Sequence, residues 1–115
     1  MTIEDFRRMA LRLPETTEQA HMNHPDFRVG GKIFATIPWP ERNWGMVKLP
    51  LDEQQARIKE HPAFEAAPGA WGRGGATYVR LDNIDEATLR NSLWSAWRRS
   101  APKRLLAKVS APPML

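Results

Sequence analysis

The chain has 115 residues, with 17 Lys+Arg against 13 Asp+Glu for a formal charge of +4, 42% hydrophobic residues and no cysteine. That length holds one domain with one core and excludes two ordinary ones, and the apolar content argues against disorder. The absence of cysteine excludes a disulfide framework, a Cys-ligated zinc, an iron–sulfur cluster and a thiolate nucleophile.

Thr2 opens a first helix as an N-cap, with Asp5 in the first turn where helix-end N–H groups favour negative charge. Ile3, Phe6, Met9, Ala10 and Leu13 form its apolar stripe, Glu4, Arg8 and Arg12 its solvated face, and Pro14 ends it. Glu15 to Asn23 is polar and reads as extended. From Asp26 the period changes to two, and Gly30-Gly31 supplies the positive-φ dipeptide of a tight hairpin between Phe27/Val29 and a return strand over Lys32 to Ile37. Pro38 to Asn43 is a loop, because its prolines break the ladder, and Trp44 to Leu49 is another strand. A second helix runs from Pro50-Leu51-Asp52 to about Glu60. Ala63 to Gly75 reads as a small-residue loop, and Thr77 to Leu81 as a strand. Asp85 caps a last helix, with Ile84 and Leu89 spaced for a hydrophobic staple, and Leu89, Leu93, Ala96 and Trp97 on its buried stripe. The order predicts a single α+β domain over residues 1–115, an antiparallel sheet with helices packed on one face.

If Phe27/Val29, Val47/Leu49 and Val79/Leu81 point inward, the opposite face carries Arg28, Trp44, Met46, Lys48, Tyr78 and Arg80, bases interleaved with aromatics and no acids. Such a face holds phosphate by charge and stacks bases on its rings, and Trp71 and Arg73 extend it from a glycine-rich loop. The competing reading is an ordinary solvated face, where Arg and Lys stems cover neighbouring aromatics.

Other chemistry is thin. His21, His24 and Asp26 lie close in sequence, but the Pro25 between them breaks a helix, and surface or capping roles account for these histidines, so no metal is expected. The carboxylates Glu15, Glu18, Asp26 and Glu41 show no catalytic-dyad spacing. Ser92, Ser95, Ser100 and Ser110 lack a nucleophile elbow, and Gly72-Arg73-Gly74-Gly75 lacks the context of a phosphate loop. Arg98 and Arg99 suit a helix C-terminus, whereas Lys103, Arg104 and Lys108 lie beyond Pro102 and read as solvating a tail whose Leu105-Leu106 docks on the core. No catalytic residues and no cofactor are expected. The N-terminus mixes acids with bases, unlike a signal peptide, and no apolar run approaches the ~20 residues of a membrane span. The expectation is a cytoplasmic protein with no membrane partner.

Taken together, Leu13-Pro14-Glu15, Asp26 through Ala35 (DFRVGGKIFA), Tyr78-Val79-Arg80-Leu81, Ala96-Trp97-Arg98 and Ala101 through Leu105 resemble the MmcQ/YjbR family over nearly the whole chain. The resemblance implies a small bacterial cytoplasmic protein with a CyaY-like, two-layer α+β fold, and a DNA-binding role through a "double wing" of hairpins, with Arg28 to Phe34 as one wing. It departs from one family branch at Ala76, where a tryptophan often stands, leaving Trp71 as the candidate to compensate. Iron binding of the frataxin type is not expected, because Arg7, Arg8 and Arg12 dilute the acids Glu4 and Asp5.

Two functions of different class follow. In the first, a non-enzymatic DNA-binding protein contacts phosphates through Arg28, Lys32, Lys48, Arg73 and Arg80, with Tyr78 or Trp44 stacking or wedging, and binding is weak and salt-dependent. In the second, the same face serves a small molecule or a protein partner, with a pocket walled by Trp44, Trp71 and Tyr78.

Overall fold

A computed structural model describes residues 1–109; Ser110 lies outside the described residues. Helix α1 (Ile3–Arg12) opens with a reciprocal cap, in which the Asp5 N–H donates to Thr2 Oγ1 at 3.0 Å and the Thr2 N–H donates to Asp5 Oδ2 at 2.8 Å. Strands β1 (Thr17–His21) and β2 (His24–Val29) are joined by Met22 and Asn23, both at positive φ. Gly30 and Gly31, at φ 57° and 80°, turn β2 into β3 (Lys32–Thr36). Between β3 and β4 (Trp44–Lys48) lies a loop with cis peptide bonds before Pro38 and Pro40.

Helix α2 (Leu51–Glu60) then carries the chain to β5 (Phe64–Ala66) and α3 (Gly69–Arg73), two elements inside the stretch expected to be loop. Three strand residues are too few to display a period, and α3 is a single short turn of helix rich in glycine. What makes α3 possible is close packing: a Cβ on Gly72 would lie 1.7 Å from the Ala67 carbonyl oxygen. Strand β6 (Ala76–Arg80) returns between β4 and β5, giving an antiparallel sheet in the order β1-β2-β3-β4-β6-β5. Helix α4 (Glu86–Ser100) starts at Asp85, whose carboxylate accepts the Thr88 N–H, and a further short helix, α5 (Lys103–Leu106), follows Pro102 where a tail was expected. No helix among the described residues is long and apolar enough to cross a membrane.

The strand register follows the period-two reading. Phe27, Val29, Val47, Leu49, Val79 and Leu81 all enter the main core, against Phe6, Met9 and Ala10 of α1 and Leu89, Leu93, Ala96 and Trp97 of α4. Gly45 faces this core where a Cβ would meet the Phe6 ring at 2.6 Å, so its lack of a side chain lets α1 approach the sheet. The Trp97 indole N–H donates to the Pro14 carbonyl at 2.9 Å, tying α4 to the end of α1. Helix α2 sits beside α4, where Ser95 donates to Glu53 at 2.8 Å. The exception to one-sided packing is α3, which lays Trp71 over the outer face against Tyr78.

Candidate anion-binding cleft

Because side chains alternate along a strand, the residues opposite the core are Asp26 and Arg28 on β2, Thr36 on β3, Trp44, Met46 and Lys48 on β4, and Tyr78 and Arg80 on β6, with Glu65 across from Tyr78 on β5. The expectation that this face carries bases alone is corrected by two acids. Asp26 has no exposed surface and accepts from Arg28 Nε at 2.7 Å and Nη2 at 3.1 Å, while His21 Nδ1 lies 2.8 Å from its other side. The Arg28 hydrogen bond first, and His21 after it, hold the Asp26 carboxyl below its ordinary value against the opposing effect of burial. At the far edge, Arg80 donates to Glu65 at 2.9 Å and lies 4.7 Å over the Trp44 ring.

The aromatic half of the face is also more closed than alternation suggested. Tyr78 is only 8% exposed and Met46 1%, because Trp44 and Trp71 meet the Tyr78 ring edge-on at 6.1 and 6.2 Å. Trp71 also meets Trp39 at 6.2 Å, and Trp39 meets His24 at 5.0 Å. The three rings expected to wall a pocket instead pack on one another, and Tyr78 is not open for stacking. Trp71 thereby covers the cluster that includes Ala76, the position where the family branch has tryptophan. His24 spends its ring against Trp39, and no group of three or more His, Cys, Asp or Glu among the described residues is placed to hold a metal ion.

At the other end of the sheet three of the expected residues converge. Arg28, Lys32 and Lys48 line a cavity of about 320 Å³ together with Gly31, Ile33, Arg99 and Ser100. The hairpin tip supplies Lys32 and Gly31, the end of β4 supplies Lys48, and the last turn of α4 supplies Arg99. Burial first, and then the Arg99 charge, hold the Lys48 ammonium below its ordinary value. Arg28 is neutralised by Asp26, but Lys32, Lys48 and Arg99 have no carboxylate within salt-bridge distance among the described residues. Sequence reasoning does not single out Arg99, because helix capping alone accounts for a last-turn arginine. Its Nη2 in fact donates to the Gly74 carbonyl at 2.9 Å, which draws α4 toward the start of β6.

The remaining expected residues lie elsewhere. Arg73 lines a separate cavity of about 540 Å³ between α2 and α3, beside Gln54 and Leu51. Trp44, Tyr78 and Arg80 form the aromatic cluster at the β6 side of the outer face. Of the basic tail, Arg104 pairs with Glu15 at 3.2 Å and Leu105 is buried in the core.

The YjbR family model matches residues 11–99. A crystal structure of the Deinococcus radiodurans protein DR2400, which carries the domain DUF419, is similar with a TM-score of 0.75 at 15% identity, over 99% of this chain and 96% of that one. Among curated proteins no significant match is found. At 15% identity the structural likeness speaks for the fold alone.

Proposed function

The chain belongs to the YjbR family, and on the geometry of its basic cleft we propose that it is a non-enzymatic protein that binds the phosphates of DNA. The observation that carries this reading is the convergence of Arg28, Lys32, Lys48 and Arg99 on one cavity whose lining contains no acid. Cations held this close repel one another, so an anion between them offsets a cost already built into the fold. The lining residues include no histidine or carboxylate and no thiol nucleophile, and their cations suit the holding of a phosphate.

The test is anisotropy with labelled duplex and single-stranded DNA across a salt series. With Lys32, Lys48 and Arg99 gathered on about one phosphate, log affinity falls against log salt with a shallow slope of about −0.9 on duplex and about −0.7 on single strands. Lys32→Glu and Lys48→Glu weaken binding, whereas Arg80→Ala leaves it unchanged because Glu65 and Trp44 already occupy that guanidinium. No binding at low salt, or an Arg80→Ala loss as large as that of Lys48→Glu, would overturn the reading.

A further inference from the structure

Bases that track the backbone of a nucleic acid are spaced along a surface, one phosphate after another. Several exposed bases are already committed to carboxylates. Arg7 is held by Glu4 and Glu18, Arg8 by Asp5, Arg80 by Glu65 and Arg104 by Glu15. Of the cations without a carboxylate partner among the described residues, Lys32, Lys48 and Arg99 line a single concave volume of about 320 Å³. That is the low end of the ~300–1,000 Å³ range of small-ligand pockets, a seat for one group rather than a groove for a strand.

We propose that this cleft is the seat of a phosphomonoester, a terminal phosphate carrying close to two negative charges, in preference to an internal phosphodiester carrying one. The inference rests on the reading of the cleft as a phosphate site and names the kind of phosphate. Charge balance is its first support. Three cations surround the cavity beyond the neutralised Arg28, and the half-charge of about −0.5 at the α4 C-terminus offsets only part of one of them. A monoester, at about −1.5 to −2, balances the remainder far better than a diester. Donor supply is the second support. Each lysine ammonium offers three N–H groups, and Arg99 commits only Nη2 to the Gly74 carbonyl, so the three free oxygens of a monoester can all be met. Access is the third. Gly31 lines the rim, and a Cβ built there meets nothing within 4 Å, so the approach beside the hairpin tip is open. The strain on Lys48 from burial and from Arg99 is of the kind a dianion relieves.

Such a phosphate is found on a nucleic-acid end and on a free nucleotide, and the experiment separates them. Affinity is measured for one oligonucleotide with a 5′-phosphate and the same oligonucleotide with a 5′-hydroxyl, and a nucleoside monophosphate and its nucleoside are used as competitors. The expected result is roughly tenfold or greater preference for the 5′-phosphorylated strand, the worth of one added charge-assisted hydrogen bond, with competition by the monophosphate but not by the nucleoside. The preference disappears in Lys48→Gln and in Lys32→Gln; the second keeps the test decisive if the first does not fold, because Lys32 is exposed at the hairpin tip. A monophosphate that binds while neither strand does assigns the site to free nucleotides and supports the monoester chemistry while overturning the DNA reading. Equal binding of the two strands overturns this inference and leaves the DNA reading standing; binding of neither strand nor monophosphate overturns both.

Discussion

Arg28 grips both oxygens of Asp26, a carboxylate with no exposed surface, through Nε at 2.7 Å and Nη2 at 3.1 Å. His21 completes the arrangement from β1, so the cluster joins the edge of the sheet to β2. Because the folded state holds the Asp26 carboxyl below its ordinary value, the pairing contributes stability that is full above the ordinary carboxylate range. That contribution is lost as pH falls through the lowered folded-state value. Asp26→Asn is therefore expected to cost about 2 kcal/mol at neutral pH, the usual cost of leaving a partly buried charged partner unpaired. Urea denaturation of both proteins from neutral to strongly acidic pH checks this, and the gap between them should close in acid. A gap that stays constant would mean that packing, not the Asp26 charge, accounts for the loss.

Gln54 is the one polar side chain of α2 that is fully buried, and its amide nitrogen lies 3.0 Å from Gly72 O, 3.1 Å from Ala76 O and 3.1 Å from Thr77 Oγ1. It thereby fixes α2, α3 and β6 to one another. Gln54→Leu keeps the volume but removes the buried donor; Gly72 O and Ala76 O keep the Gly75 and Ala67 N–H groups while Thr77 Oγ1 loses its donor, at an expected cost of about 2 kcal/mol. In a domain of this size that is a fall of roughly 6–12 °C in Tm by thermal denaturation. A change under about 1 °C, well below that scale, would show that the Gln54 hydrogen bonds contribute nothing net to the fold.

How much of this was legible depended on whether a residue's role was local. The Thr2–Asp5 and Asp85–Thr88 caps and the Gly30-Gly31 turn are short-range chemistry, and the inward set from Phe27 to Leu81 follows from a period of two. Strand β5 was hidden because its partner β6 comes later in the chain and three residues carry no period. Arg99 was hidden for the opposite reason, since a sufficient local explanation masked a tertiary one. Asp26 was readable, because residues i and i+2 on a strand share a face, and that spacing alone places its carboxylate beside Arg28. The sheet's outer face reads as basic only when Asp26 and Glu65 are left off it, and two of its bases are in fact paired with them.

Two glycines of similar backbone shape should respond very differently to alanine. Gly75, at φ 108°, would place a Cβ 2.3 Å from the Leu49 carbonyl oxygen, and that carbonyl belongs to the chain leaving β4. Gly31, at φ 80°, would place its Cβ in open space. Gly31→Ala is expected to cost about 1 kcal/mol from the left-handed backbone alone. Gly75→Ala adds a backbone clash and should cost more than about 3 kcal/mol or prevent folding. Chemical denaturation of the pair reads the difference, and equal costs would show that the Gly75–Leu49 contact relaxes without penalty.

Lys48 should trade stability for binding. Burial and the Arg99 charge hold its ammonium below its ordinary value, so the folded chain binds fewer protons there than the unfolded chain. Stability accordingly rises as pH is raised through the lowered value toward the ordinary one, and below that window the charged side chain is a net cost to the fold. Lys48→Met removes the charge and keeps the apolar stem, and is expected to stabilise the protein by about 0.5–1 kcal/mol at neutral pH, as relief of a strained binding-site residue commonly does. The same substitution should weaken phosphate binding, measured by anisotropy beside the denaturation curves. Arg99→Gln should weaken binding in the same way, since it removes one of the cations of the cleft, but without the gain in stability, because it also removes the hydrogen bond to the Gly74 carbonyl. If Lys48→Met destabilises the fold while binding is unaffected, Lys48 serves the structure, and the cleft is not the site.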